Sequence, residues 1–188
     1  MQSFKFIFIF VLNILSNLSF SQEEIDYTPK TLTKILKSEG EHVKIDELPL
    51  ADSMFAEIQN GKYFEIHNNS EPTAKFIYIG RVNSCRAGGC SIDESSVLGG
   101  FEYFDYFILF DRELTVQQIK VFNYQATKGQ EITAKNWLKQ FIGYKSGSDL
   151  QVGKQIDGIS GATVSAHSLT ADVVSKTKIL EKICSKLY

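Results

Sequence analysis

Tyr106-Phe107-Ile108-Leu109-Phe110-Asp111-Arg112-Glu113 is the stretch on which the fold turns. A near-continuous apolar run of this length is what a strand covered on both faces requires. Asp111-Arg112-Glu113 interrupts the run as a turn. Strand character then resumes from Thr115 to Tyr124, with Val116, Ile119, Val121 and Tyr124 set among polar residues. The two runs predict a central β-hairpin in a strand-rich segment from Gly99 to Phe122.

Toward the C-terminus the hairpin is followed by Gln125-Ala126-Thr127-Lys128-Gly129, which has the composition of a turn. Trp137, Leu138 and Phe141 mark a short helix that stops near Gly143, with their aromatic surface available for the core. A Gly/Ser/Lys loop, Lys145 to Asp149, leads through Leu150-Gln151-Val152 to Asp157-Gly158-Ile159-Ser160-Gly161-Ala162-Thr163-Val164-Ser165. Such a composition makes an open turn feeding a helix, where unpaired N–H groups and the dipole favour an anion. Small residues precede Thr163, so a large partner has room to reach its hydroxyl. The same composition also suits a plain helix entry with Ser and Thr as caps. Beyond it, Leu169, Val173, Leu180, Ile183 and Leu187 fall on one face of a helix that packs on the sheet.

Toward the N-terminus, Lys75 to Val82 and Lys62 to His67 are aromatic and β-branched runs. Asn68-Asn69-Ser70-Glu71-Pro72 separates them as a turn, so they predict a strand pair. Thr31 to Lys37 carries Leu32, Ile35 and Leu36 at helical spacing, with Gly40 as its stop. Residues 1–21 are of another kind: Lys5, then Phe6-Ile7-Phe8-Ile9-Phe10-Val11-Leu12, then small residues at Ser19 and Ser21. A basic start, a short apolar core and a small-residue cleavage site are the parts of a secretory signal peptide. Asn13 and Asn17 break the apolar stretch, which makes it a poor membrane span. Export is therefore expected, to the periplasm or the outer face of the cytoplasmic membrane, with residues 22–188 as a single domain.

In an oxidising compartment Cys85 and Cys90, flanking Ala87-Gly88-Gly89, read first as a local disulfide, with free thiols or a redox pair as alternatives. Cys184 reads as a buried thiol of the last helix. His42, His67 and His167 are scattered and read as surface or capping residues. Two cysteines are too few for a closed structural zinc site without distant histidines, and no Cys-x-x-Cys-His is present for c-type haem. The formal net charge of −2 gives no basic face for nucleic acid. A helix, paired strands, a hairpin and two further helices define an α+β chain with a largely antiparallel sheet packed with helices.

The order Asp157-x-x-Ser160-Gly161-Ala162-Thr163 resembles the flavinylation motif of the FMN-binding domain family, whose α+β fold agrees with the pattern of elements. That family includes the FMN-carrying subunits of sodium-pumping quinone reductases and of Rnf-type electron-transport complexes. The resemblance implies FMN joined to Thr163 by a phosphoester bond, installed from FAD by a FAD:protein FMN transferase. It places Asp157, Ser160, Gly161, Ala162 and Ser165 around the attached group. Thr127 and Gly129 stand where the family often carries Glu-Thr-x-Gly close to the flavin. Ala126 departs from that pattern and removes a carboxylate. The resemblance runs from Gly99 to the end of the chain.

What the resemblance implies is an exported flavoprotein electron carrier that passes electrons between membrane-associated redox partners. No acid/base constellation for a substrate and no Gly-x-Gly-x-x-Gly fingerprint are present, so an electron-transfer subunit is favoured over a self-sufficient enzyme. The other reading is an exported module that binds flavin or another ligand noncovalently, without a redox role.

Overall fold

The computed structural model describes residues 23–40, 42–50, 58, 60–68, 74–86 and 101–187. Among them the chain forms helix α1 (Lys30–Glu39) and strands β1 (Lys44–Glu47), β2 (Gly61–His67), β3 (Phe76–Arg86), β4 (Phe101–Phe110) and β5 (Val116–Tyr124). A 3-10 turn (Gln130–Thr133), helix α2 (Lys135–Leu138), a second 3-10 turn (Lys139–Phe141) and helix α3 (Thr163–Leu187) follow. The strands lie in one sheet in the order β1-β2-β3-β4-β5, every neighbour antiparallel. The fold is α+β, as the pattern of elements predicts. The signal-peptide segment and Cys90 lie outside the described residues, and with Cys90 the expected disulfide.

The hairpin at Tyr106–Phe110 is β4 and β5, with Ile108 opposite Ile119 and Phe104 opposite Tyr124. Its apolar run is buried on both faces: Tyr106, Ile108 and Phe110 face one core, and Phe107 and Leu109 face a second. The turn extends one residue further than Asp111-Arg112-Glu113. Leu114 takes a left-handed φ of 62°, and the Asp111 side chain accepts the Thr115 N–H at 2.8 Å to hold it. β1 carries no signal in the sequence, because Ile45 is its only apolar residue and charged neighbours surround it. It forms because β2 offers an unpaired edge, and its charges suit an exposed edge strand.

Helix α1 covers the second core through Leu32, with Ile35 and Leu36 packed at its border. Helix α3 spans the other face, about 37 Å long at 1.5 Å per residue. Its buried residues include Ala166, Leu169, Val173, Leu180 and Ile183, the three- and four-residue spacing of one helical face. Leu187 lies on the same face by spacing, in the last turn of the helix, but is 41% exposed. Cys184 is half-buried beside the same core, and burial pushes its thiol up to about 11.

Between α3 and the sheet lies a polar cluster. The Tyr63 hydroxyl donates to the Lys176 carbonyl at 2.8 Å, and the Tyr106 hydroxyl donates to Asp172 Oδ2 at 2.6 Å. Lys176, 6% exposed, places Nζ 3.6 Å from Asp172 Oδ1. Burial raises the Asp172 carboxyl above the ordinary aspartate value of 3.8, against the opposing pull of Lys176 and Tyr106. A raised carboxyl binds its proton more tightly in the folded chain than in the unfolded one. Its contribution is therefore fullest below 3.8 and falls as pH rises toward the folded value. The urea midpoint of the native chain, minus that of Asp172→Asn, should decline across that window and then level off. A difference that stays flat or rises with pH would remove Asp172 as the source.

Candidate functional site

The motif from Asp157 to Ser165 lies between the α2 turn and the start of α3. The Ala166 N–H donates to the Ala162 carbonyl at 2.9 Å, which makes Ala162 the residue on which the helix starts. The N–H groups of Thr163, Val164 and Ser165 are then those of the free first turn. Gly161, at φ +83°, supplies the left-handed corner before it, and among the described residues nothing lies within 4 Å of where a side chain at Gly161 would start. Ala162 is buried, at 2% exposure, and tethers this end of the loop to the core. Asp157, Gly158, Ser160, Gly161 and Thr163 are exposed. Among the described residues the Thr163 hydroxyl has only a long 3.5 Å contact, to the Ile159 carbonyl.

The loop is held at both ends by residues the motif does not contain. At its entry the Trp137 Nε1–H donates to the Asp157 carbonyl at 2.8 Å, and the Asp157 N–H donates to Gln140 Oε1 at 2.8 Å. At its exit Ser165, 3% exposed, sits 2.8 Å from the Ser84 hydroxyl of β3 and 3.3 Å from the Tyr124 hydroxyl of β5. Tyr124 also donates to the Lys128 carbonyl at 2.5 Å. The Ser165 side chain thus joins the helix start to the loop after the hairpin.

That arrangement sets Gly129 beside the end of the motif. Gly129 has φ +89°, and a Cβ there would meet Ser165 Oγ at 2.6 Å and the Tyr124 hydroxyl at 2.9 Å. Gly129→Ala should cost about 1–3 kcal/mol, from left-handed strain and the displaced hydroxyls. Thermal denaturation checks this, and an unchanged midpoint would show that the contact yields freely. Thr127 donates a short hydrogen bond to the Glu102 carboxylate of β4. A carboxylate from β4 thus stands beside Thr127, next to the position where Ala126 offers none.

Ser84, Glu102, Tyr124 and Gln140 carry no motif signal, because each reaches the site through strand or turn geometry. Trp137 is visible in the sequence as a core aromatic, and it is one: 7% exposed, edge-on to Phe141 at 5.2 Å between centroids. Its indole N–H is the part that sequence reading misses. His42, His67 and His167 are all exposed, away from any role visible in the motif.

The fold is thus an antiparallel sheet flanked by helices, with an open Gly/Ala loop pinned at both ends where the last helix starts. Residues 103–175, from β4 into the middle of α3, match the FMN-binding domain family, a likeness that supports flavin binding by this part of the chain. A comparison of the chain with curated proteins found no match.

The residues present fit FMN. The phosphate end of the cofactor needs a hydroxyl or amide donors without bulky cover, and Thr163 and the free first turn of α3 supply both. Exposure of Gly158, Ser160 and Gly161 leaves the approach open.

Proposed function

We propose that this protein is an exported flavoprotein electron carrier with FMN attached to Thr163 by a phosphoester bond. The observation that carries the reading is an exposed threonine hydroxyl on the first turn of a 25-residue helix, reached through a Gly/Ala loop. Attachment uses FAD and a FAD:protein FMN transferase. Thr163 Oγ attacks the phosphorus of the FMN half, a new P–O bond forms, the pyrophosphate P–O bond breaks, and AMP leaves. The hydroxyl proton goes to a base of the transferase, and the divalent metal that assists such transfers belongs to that enzyme.

The phosphodiester that results keeps one negative charge, which the first-turn amides of α3 and the helix dipole stabilise. Bound FMN supplies one- or two-electron redox chemistry. The chain's part is to hold and orient it: Gly161 and Ala162 let the phosphate lie against the backbone, with Ser160 beside it. Ser165 fixes the helix start against Ser84, Tyr124 and Gly129. Asp157 stands exposed at the loop entry, where it orients the loop toward the transferase. Electron donors and acceptors are membrane electron-transport proteins on the same side as the exported chain. The N-terminal signal-like segment supports this placement, and the near-neutral charge offers no nucleic-acid alternative.

The test is an intact mass and a visible spectrum of chain produced together with a transferase. A gain of FMN minus one water, with yellow colour surviving denaturation, is expected. Colour lost on denaturing would instead establish the noncovalent module.

A further inference from the structure

We infer that Trp137 and Gln140 are positioning residues for the modification of Thr163, an inference that rests on the reading above. Both backbone polar atoms of one residue, Asp157, are taken by side chains from helix α2 and the 3-10 turn that directly follows it. Trp137 Nε1–H reaches the carbonyl and Gln140 Oε1 the N–H, each at 2.8 Å. A residue bound through both its N–H and its C=O keeps its orientation, because either bond alone would leave it free to pivot.

The donor is itself immobile. Trp137 is 7% exposed and packs edge-on against Phe141, which is fully buried. Two stiff side-chain torsions in a packed site leave the indole N–H one direction to point. At the other end the span closes at Ala162, 2% exposed, and at Ser165, 3% exposed. Between these anchors lie exposed residues, and Thr163 is among them. A loop held at both ends presents its hydroxyl in a narrow range of positions, so less freedom is lost when a transferase engages it. The hydrogen bonds are made to Asp157 and not to α3, so their removal loosens the loop that leads into Thr163 while α3 itself stays packed.

The experiment measures attachment with purified transferase and FAD, following mass gain in time at saturating transferase, for four chains. Trp137→Phe keeps a ring and loses the donor. Gln140→Met keeps the length and loses the acceptor, and Gln140→Glu keeps an acceptor. Trp137→Phe and Gln140→Met should each attach flavin about tenfold or more slowly at a temperature where every chain is folded, the scale of a small misplacement of a reacting group. Gln140→Glu should recover much of the native rate. Native rates in both Trp137→Phe and Gln140→Met would overturn the inference, as would equal slowing in Gln140→Met and Gln140→Glu.

Hydrogen exchange at the Asp157 amide separates this inference from the reading beneath it. If the native chain gains no mass, the covalent reading fails. The exchange still decides the clamp: protection lost in Gln140→Met and kept in Gln140→Glu upholds it, and unchanged protection removes it.

Discussion

Thr163→Ala should abolish covalent flavin: chain produced with FAD and a transferase should show the unmodified mass, where the native chain gains FMN minus one water. The effect is complete because the bond needs an oxygen nucleophile at that position. Alanine removes the nucleophile and leaves the fold in place, since Thr163 is exposed and alanine is the better helix former. Stability should change by no more than about 0.5 kcal/mol, so a loss of flavin will not reflect unfolding. Thr163→Ser keeps a hydroxyl on the same first turn and should retain attachment at a reduced rate. Two other hydroxyls lie nearby. Ser165 is 3% exposed and already bonded to Ser84 and Tyr124, which leaves it out of reach. Ser160 is exposed but precedes the helix, without the free amides beside it. A full mass gain in Thr163→Ala would sink the assignment and turn attention to Ser160.

Asp105→Ala should produce the largest loss of stability of any single polar substitution discussed here. Asp105 is 1% exposed and Arg81 6%, and they meet through two hydrogen bonds, Nε to Oδ1 at 2.7 Å and Nη2 to Oδ2 at 3.0 Å. The guanidinium lies over the Tyr103 ring at 3.7 Å and uses Nη1 to reach the Glu23 carbonyl at 2.6 Å. Asn123 donates to Asp105 Oδ2 at 2.9 Å. The pair therefore ties three strands and the segment before α1 into one unit. Removing the carboxylate leaves a buried cation without its partner, which costs about 3–5 kcal/mol. For a chain of this size that corresponds to roughly 6–20 °C in the thermal midpoint. Arg81→Met combined with Asp105→Leu should recover a large part of that loss, because both charges leave together. A fall of less than about 1 kcal/mol in Asp105→Ala, the level of an exposed pair, would show that water reaches the guanidinium.

The hairpin and the last helix are legible in the sequence because each repeats one signal many times. Tyr106 to Phe110 can be buried on both faces only in a covered sheet, and the spacing from Leu169 to Ile183 fits only a helix. β1 is illegible for the opposite reason: four residues with one apolar side chain leave no periodic trace, and pairing with β2 alone makes them a strand. The left-handed Leu114 is equally silent, since nothing in a leucine marks that conformation.

At the site the division is sharper. Asp157, Ser160, Gly161, Ala162 and Thr163 fall within one short stretch of sequence, so their order alone marks an open helix entry with an accessible hydroxyl and carries the likeness to a flavin-attachment motif. The sequence also determines that Gly129 follows the hairpin, though not why a glycine is needed. Only the tertiary structure decides that, by setting Ser165 and Tyr124 against it. In the same way Ser84, Glu102, Trp137 and Gln140 come from three separate segments and converge through the sheet and the α2 turn. A local signal is written in neighbouring residues, whereas a hydrogen bond between residues 17 or 20 positions apart exists only once the chain between them has folded.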